Sequence, residues 1–218
     1  MDKLRNDLTG MMNPKGKKEK LKPRMKSFGY NILGFGSGSA GPVEYFVEYL
    51  VVAGGAGCAI TSFHAPAGGG GAGGYREAKA SNDCYSASPL CGASGNSVSV
   101  TATSFPITVG NGGAGGPPSG NGTKGNNSVF STKTSTGGGP GGRGGGLPAS
   151  NAGGTGGSGG GGGGRAEPGG SGNQGGFSPA EGNNGGASRP APSPQFDFGG
   201  GGGGATQAGT NGACNNAG

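Results

Sequence analysis

The stretch GGTGGSGGGGGGR, residues 153–165, holds ten glycines in thirteen positions. Its reading decides the fold. Glycine-rich chain of this kind is usually a flexible tether. It can also be a structural element in its own right, because without side chains the backbones can approach closely and bond to one another.

The rest of the chain bears on that choice. Of 218 residues, 61 are glycine and 15 are proline, about a third of the chain against a usual ~12%. Leu, Ile, Val and Phe together number 27, and there is no Trp. A conventional core for a domain of this length cannot be assembled from so few large apolar side chains. Composition alone therefore predicts disorder. Charge argues against it. The net charge of +6 sits in residues 1–26, which carry nine Lys or Arg against three Asp or Glu. The remaining residues carry seven of each. A neutral chain dense in backbone amides must find hydrogen-bond partners for them.

The glycine is also punctuated. From residue 53 onward it comes in blocks: AGGAG at 53–57, GGGGAGG at 68–74, GNGGAGG at 110–116, GGGPGGRGGG at 137–146, the stretch quoted above, GGSGNQGG at 169–176, GNNGG at 182–186 and GGGGGG at 199–204. Short inserts of unrelated composition separate them. There is no Gly-X-Y period, which excludes collagen. Blocks in polyproline II geometry, three residues per turn, could pack side by side and bond laterally, with the inserts emerging as loops.

Strand signals come earlier. In VEYFVEYLVV, residues 43–52, Val43, Tyr45, Val47, Tyr49 and Val51 fall on one face, and Leu50 and Val52 close the other. In NSVSVTATSFPITVG, residues 96–110, Val98, Val100 and Ala102 alternate, and Pro106 confines the segment to an edge or a bulge. A shorter strand is expected around Val129 to Thr134. The predicted fold is mainly β and irregular, with a short β base, a bundle of polyglycine II helices joined by loops, and almost no α-helix. Three parts are expected: a basic arm and apolar peptide at 1–42, a β base with the first glycine blocks at 43–136, and a glycine-rich bundle at 137–218.

The arm has helical spacing only over 2–12, and Pro14, Gly16 and Pro23 stop anything longer. It reads as a solvated basic tail or as an anchor on an acidic partner. Nucleic-acid binding is disfavoured, because no aromatic residues interleave the lysines. The peptide that follows packs Phe28, Tyr30, Ile32, Leu33 and Phe35 between glycines. It is too small for a core of its own and is expected to bury against the first strand or a neighbouring subunit.

No apolar segment follows the basic N-terminus as in a signal peptide, and none approaches the ~18 residues of a membrane span. Synthesis in a cytoplasm without signal-peptide export is expected. The cysteines at 58, 84, 91 and 214 form no CxxC, and His64 stands alone, so neither metal nor cofactor is expected. Cys84 and Cys91 flank YSASPL. They read as a loop disulfide worth ~2–3 kcal/mol, formed outside a reducing cytosol, or as two free thiols. No nucleophile–base pair or carboxylate pair stands out, and GxGxxG patterns here lack any βαβ setting, so the chain is read as no enzyme. Phe63, Tyr85, Phe130, Phe177, Phe196 and Phe198 lie in inserts. They are candidates for receptor contact or the scattered core of a chain poor in apolar residues.

Several motifs occur together and in order: VEYFVEYLVVAGG at 43–55, GGGGAGGYREA at 68–78, FPITVGNGGAGG at 105–116, GNNSVF at 125–130 and GGGGGGA at 199–205. From about residue 44 to the end, the chain resembles the glycine-rich domain of tailed-bacteriophage tail-fibre and adhesin proteins. The resemblance implies a non-enzymatic virion protein whose polyglycine II bundle presents variable loops to a host receptor. The arm residues Lys17, Lys18, Lys20, Lys22 and Arg24, with the apolar peptide, would attach it to other virion proteins of the tail or capsid. It would be a homotrimer, or a monomer capping a fibre. A decoration or cement fibre on capsid, neck or tail is the alternative. A glycine-rich extracellular or antifreeze-type protein is a third reading, and it requires a flat face of Thr and small residues.

Overall fold

Alternation of apolar and polar residues sets the strands. The computed structural model describes residues 44–60, 66–80, 86–92, 97–117, 120–145, 151–190 and 197–213. The arm and apolar peptide of residues 1–42, Val43 of the expected first strand, and Phe63, His64, Cys84, Tyr85, Phe196 and Cys214 lie outside the described residues. Glu44–Gly218 is one compact unit. Among the described residues there is no helix, and seven short strands form small antiparallel sheets.

The expected strand over 43–52 is divided at Glu48 into β1 (Tyr45–Val47) and β2 (Tyr49–Val52). Glu48 Oε1 accepts the Ala80 amide at 2.6 Å, and the two halves join different sheets. β1 pairs with β4 (Val98–Val100) in the register Val47↔Val98. β2 pairs with β3 (Tyr75–Ala78) in the register Val52↔Tyr75. The expected run to Ala102 stops at Val100, and the signal around 129–134 resolves into a hairpin. Its strands are β6 (Ser128–Phe130) and β7 (Lys133–Ser135), with Ser131 at φ 53° in the turn. β5 (Ile107–Thr108), just after Pro106, is an edge strand on β6. Its edge position agrees with the constraint that Pro106 imposes. The small apolar core is Tyr49, Val51, Ala78 and Val98, with Val100 and Phe130 packed against it.

Five strands run directly into glycine segments and set their register. After the Val52↔Tyr75 pair, the Ala53 amide donates to Gly74 at 3.0 Å and the Ala56 amide to Gly71 at 2.9 Å. Beyond the Ser128↔Ser135 pair, the Gly125 amide donates to Gly138 at 3.1 Å. The spacing changes at this junction: in the glycine segments, every third residue bonds the same neighbour.

The later part of the quoted stretch occupies the centre, while Gly153 and Gly154 lie in a neighbouring segment. Residues 156–164 are all buried. Its amides leave in three directions, repeating every three residues. Gly159 and Gly162 donate to Asn183 and Gly186, Gly160 and Gly163 to Gly154 and Asn151, and Gly161 and Gly164 to Gly69 and Pro66, at 2.7–3.2 Å. Its carbonyls receive from three more segments. Ser158 and Gly161 accept from Gly139 and Gly142, Gly157 and Gly160 from Asn173 and Gly170, and Gly159 and Gly162 from Gly203 and Gly200. Six segments therefore surround it. They also bond to one another in a closed ring, through Gly71 to Gly139, Gly154 to Pro140, Gly153 to Pro168, Gly185 to Gly170, Gly186 to Gly201 and Gly69 to Gly200. Segments 53–58, 110–116, 120–127 and 207–213 lie outside this ring.

The physical reason is steric. A buried amide left unpaired costs about 1–3 kcal/mol, and segments built largely of glycine let seven backbones approach closely enough to bond laterally. A Cβ on Gly161 would overlap the Gly200 carbonyl, and one on Gly160 the Pro140 carbonyl. The segments on either side of residue 136 belong to the same ring, since those around 68–74 bond those around 136–142.

Candidate functional site

The chain directions give the bundle two unlike ends. All the strands lie at one. At the other, the inserts between segments gather: Cys58–Ile60, Pro117, Arg143, the Arg165–Glu167 turn, and Arg189 with Phe198. Backbone bonds tie this loop end together. The Gly116 amide donates to Cys58 at 3.0 Å, and the Gly164 amide to Pro66 at 3.2 Å. The Ser188 amide donates to Glu167 at 2.9 Å, and Arg189 and Phe198 exchange amide and carbonyl at 2.9 Å each way. The turn out of the central segment needs left-handed backbone at Arg165 (φ 73°) and Ala166 (φ 61°), and both residues are exposed. Arg143, Arg165 and Arg189 thus belong to one end of the molecule. Cys58 there is an exposed free thiol.

The three described aromatic candidates do not form one surface. Phe130 packs against Tyr49 at the strand end, ring centroids 6.3 Å apart and planes at 54°. Phe177 lies beneath the Arg76 guanidinium, 3.9 Å from the ring centroid. Phe198 belongs to the loop end. Cys91 is a half-buried free thiol, and its expected partner Cys84 lies outside the described residues.

The strand end holds polar networks that sequence reasoning did not single out. Arg76 Nη1 donates to the Thr134 carbonyl at 2.9 Å, so one side chain joins β3, β7 and Phe177. Glu77, itself buried, accepts from the Tyr75 hydroxyl at 3.0 Å and from the Ser88 amide at 3.1 Å. Burial pushes the Glu77 carboxyl up. The hydrogen bonds from Ser88 and Tyr75 and the charge of Lys79 outweigh it, and the group is held below its ordinary value. Burial raises the hydroxyls of Tyr49 and Tyr75. Glu181 is fully buried and accepts the Thr136 amide at 2.8 Å, which fixes the 173–181 insert to the start of a glycine segment. YREA gives no alternation that would mark a strand, since its order is apolar, polar, polar, apolar. It is only four residues long and is embedded in glycine.

Beside the networks is an open apolar groove of about 360 Å³, lined by Val47 to Val52, Ile107 to Val109 and Ser128 to Phe130. Leu50, Val52, Ile107 and Val109 are all exposed along it. Among the described residues, no three His, Cys, Asp or Glu side chains cluster as metal ligands, and no helix is long and apolar enough to cross a membrane.

No curated protein and no solved structure matches the chain. A family model does match, over residues 36–218. With a fold built on backbone-bonded glycine segments and a match over most of its length, the chain belongs to the glycine-rich domain family.

Proposed function

We propose that this chain is a non-enzymatic structural protein of a bacteriophage virion, a tail fibre or receptor-binding adhesin. The closed ring of segments around residues 156–164 carries the reading. Three residues per repeat is the period of polyproline II. Lateral amide bonds in three directions are what polyglycine II helices would form, so each segment is read as one such helix. Such a bundle has little side-chain chemistry to offer. It is a rigid holder for loops, and loops on a rigid scaffold commonly carry binding function. The ordered resemblance from VEYFVEYLVVAGG to GGGGGGA supports the virion setting. The basic arm and Phe28–Phe35 peptide would then attach the protein to other virion components, and the loop end would face the host receptor.

Purified protein should bind host cells, and replacing residues 190–196 should abolish binding while leaving the bundle folded. Absence of binding at micromolar concentration, with labelled protein found on the head, would favour the decoration fibre instead.

A further inference from the structure

Strand β5 pairs with β6 along one edge and has no partner along the other among the described residues. Ile107, Thr108 and Val109 are all β-branched, the side chains best suited to a strand. None carries the charge that usually blunts an open edge. Ile107 is 70% exposed and Val109 82%, while Leu50 and Val52 across the groove are 58% and 50% exposed. From these fractions the four side chains leave roughly 400 Å² of apolar surface open, within the range of the largest patch on a typical monomer and often functional. Glu48 lines the groove but is engaged by the Ala80 amide.

We propose that this edge is an interface with a second copy of the chain, β5 pairing antiparallel with β5 of the copy about a two-fold axis at Thr108. The sequence is self-complementary in that arrangement. Pairing centred on Thr108 sets Ile107 opposite Val109 of the copy and Val109 opposite its Ile107, as an isologous contact requires. Three strands on each side become one continuous six-stranded sheet. Two copies present about 800 Å² of exposed apolar surface at this edge, on the scale of the ~1,000 Å² that a specific interface buries. The two bundles then point in opposite directions, each with its loop end free. The inference is independent of the virion reading.

Sedimentation of the full-length protein at tens of micromolar tests it. The wild type should run as a dimer. Val109→Asp and Ile107→Asp should each run as monomers, with the slow amide exchange of residues 159–164 retained. A monomeric wild type overturns the proposal, and so does a dimer that survives both substitutions. Thr108→Cys gives a second readout. At the two-fold axis the paired Cα atoms would lie about 4.5–5.5 Å apart, within disulfide range. Oxidation should therefore link two chains through residue 108 as mapped by mass spectrometry. Linkage only through other cysteines counts against the arrangement.

Discussion

At the scale of the residue, what matters at a glycine is what a Cβ would strike. On Gly161 it would meet the Gly200 carbonyl, in the middle of seven bonded backbones that have no side chain able to yield. Gly161→Ala should destabilise the protein by about 3 kcal/mol or more, at or above the usual cost of overpacking. At Gly112, on an outer segment, the nearest atom is the Gly55 carbonyl oxygen at an ordinary 3.5 Å. Gly112→Ala should change stability by less than about 0.5 kcal/mol. Denaturant titrations of the two variants would show the contrast, whereas a tether would tolerate both equally. Glu77 supplies a pH test. Its folded pKa lies below its ordinary value of 4.5, so the stability it adds is present above that value and is lost as pH falls through the folded one. Stability should decline below about pH 4.5, and Glu77→Gln should make that decline shallower in thermal melts taken from pH 7 to 3. Nothing in the composition distinguished Gly161 from Gly112. The difference lies in which distant carbonyl sits beside each.

At the scale of the element, each strand acts as the start of a glycine segment. β2, β3, β5, β6 and β7 carry side chains that select one register, and the segments they lead into inherit it. The segments themselves have no side chains to choose a register. Strand alternation was legible in 43–52 and 96–110 because alternate residues differ in polarity. The break at Glu48 was not, because it depends on the Ala80 amide 32 residues away. The hairpin at 128–135 was read as one short strand, because Ser131 and Thr132 carry no Gly or Asn signal for a turn. Hydrogen exchange should resolve the segments by position. Amides 159–164, each bonded and buried, should exchange only with global unfolding. The amide of Gly112, on an exposed stretch of its segment, should exchange quickly. Ser158 adds a side-chain tie within the central segment, its hydroxyl donating to the Gly73 carbonyl at 2.8 Å. Ser158→Ala should cost about 1–2 kcal/mol in a thermal or denaturant melt, since it leaves a buried carbonyl unpaired.

At the scale of the whole molecule, the interior is made of peptide groups. Among the described residues, the buried apolar side chains are Tyr49, Val51, Ala53, Ala59, Ala78 and Val98. Exposing apolar surface raises the heat capacity of unfolding and exposing polar surface lowers it. Calorimetry should therefore give a ΔCp per residue well below the usual ~12–15 cal/mol/K; a value in the ordinary range would contradict an interior built chiefly of peptide groups. The sequence by itself determined that no ordinary core could form, that strands begin the folded unit, and that the glycine comes in blocks long enough to pack. These follow from counts and spacings of side chains. Which block lies at the centre was decided only by the tertiary structure. A run of glycines has no sequence pattern that names its neighbours, so residues 153–165 could be read as a tether until six segments, one of them holding Gly153 and Gly154, were found bonded around residues 156–164.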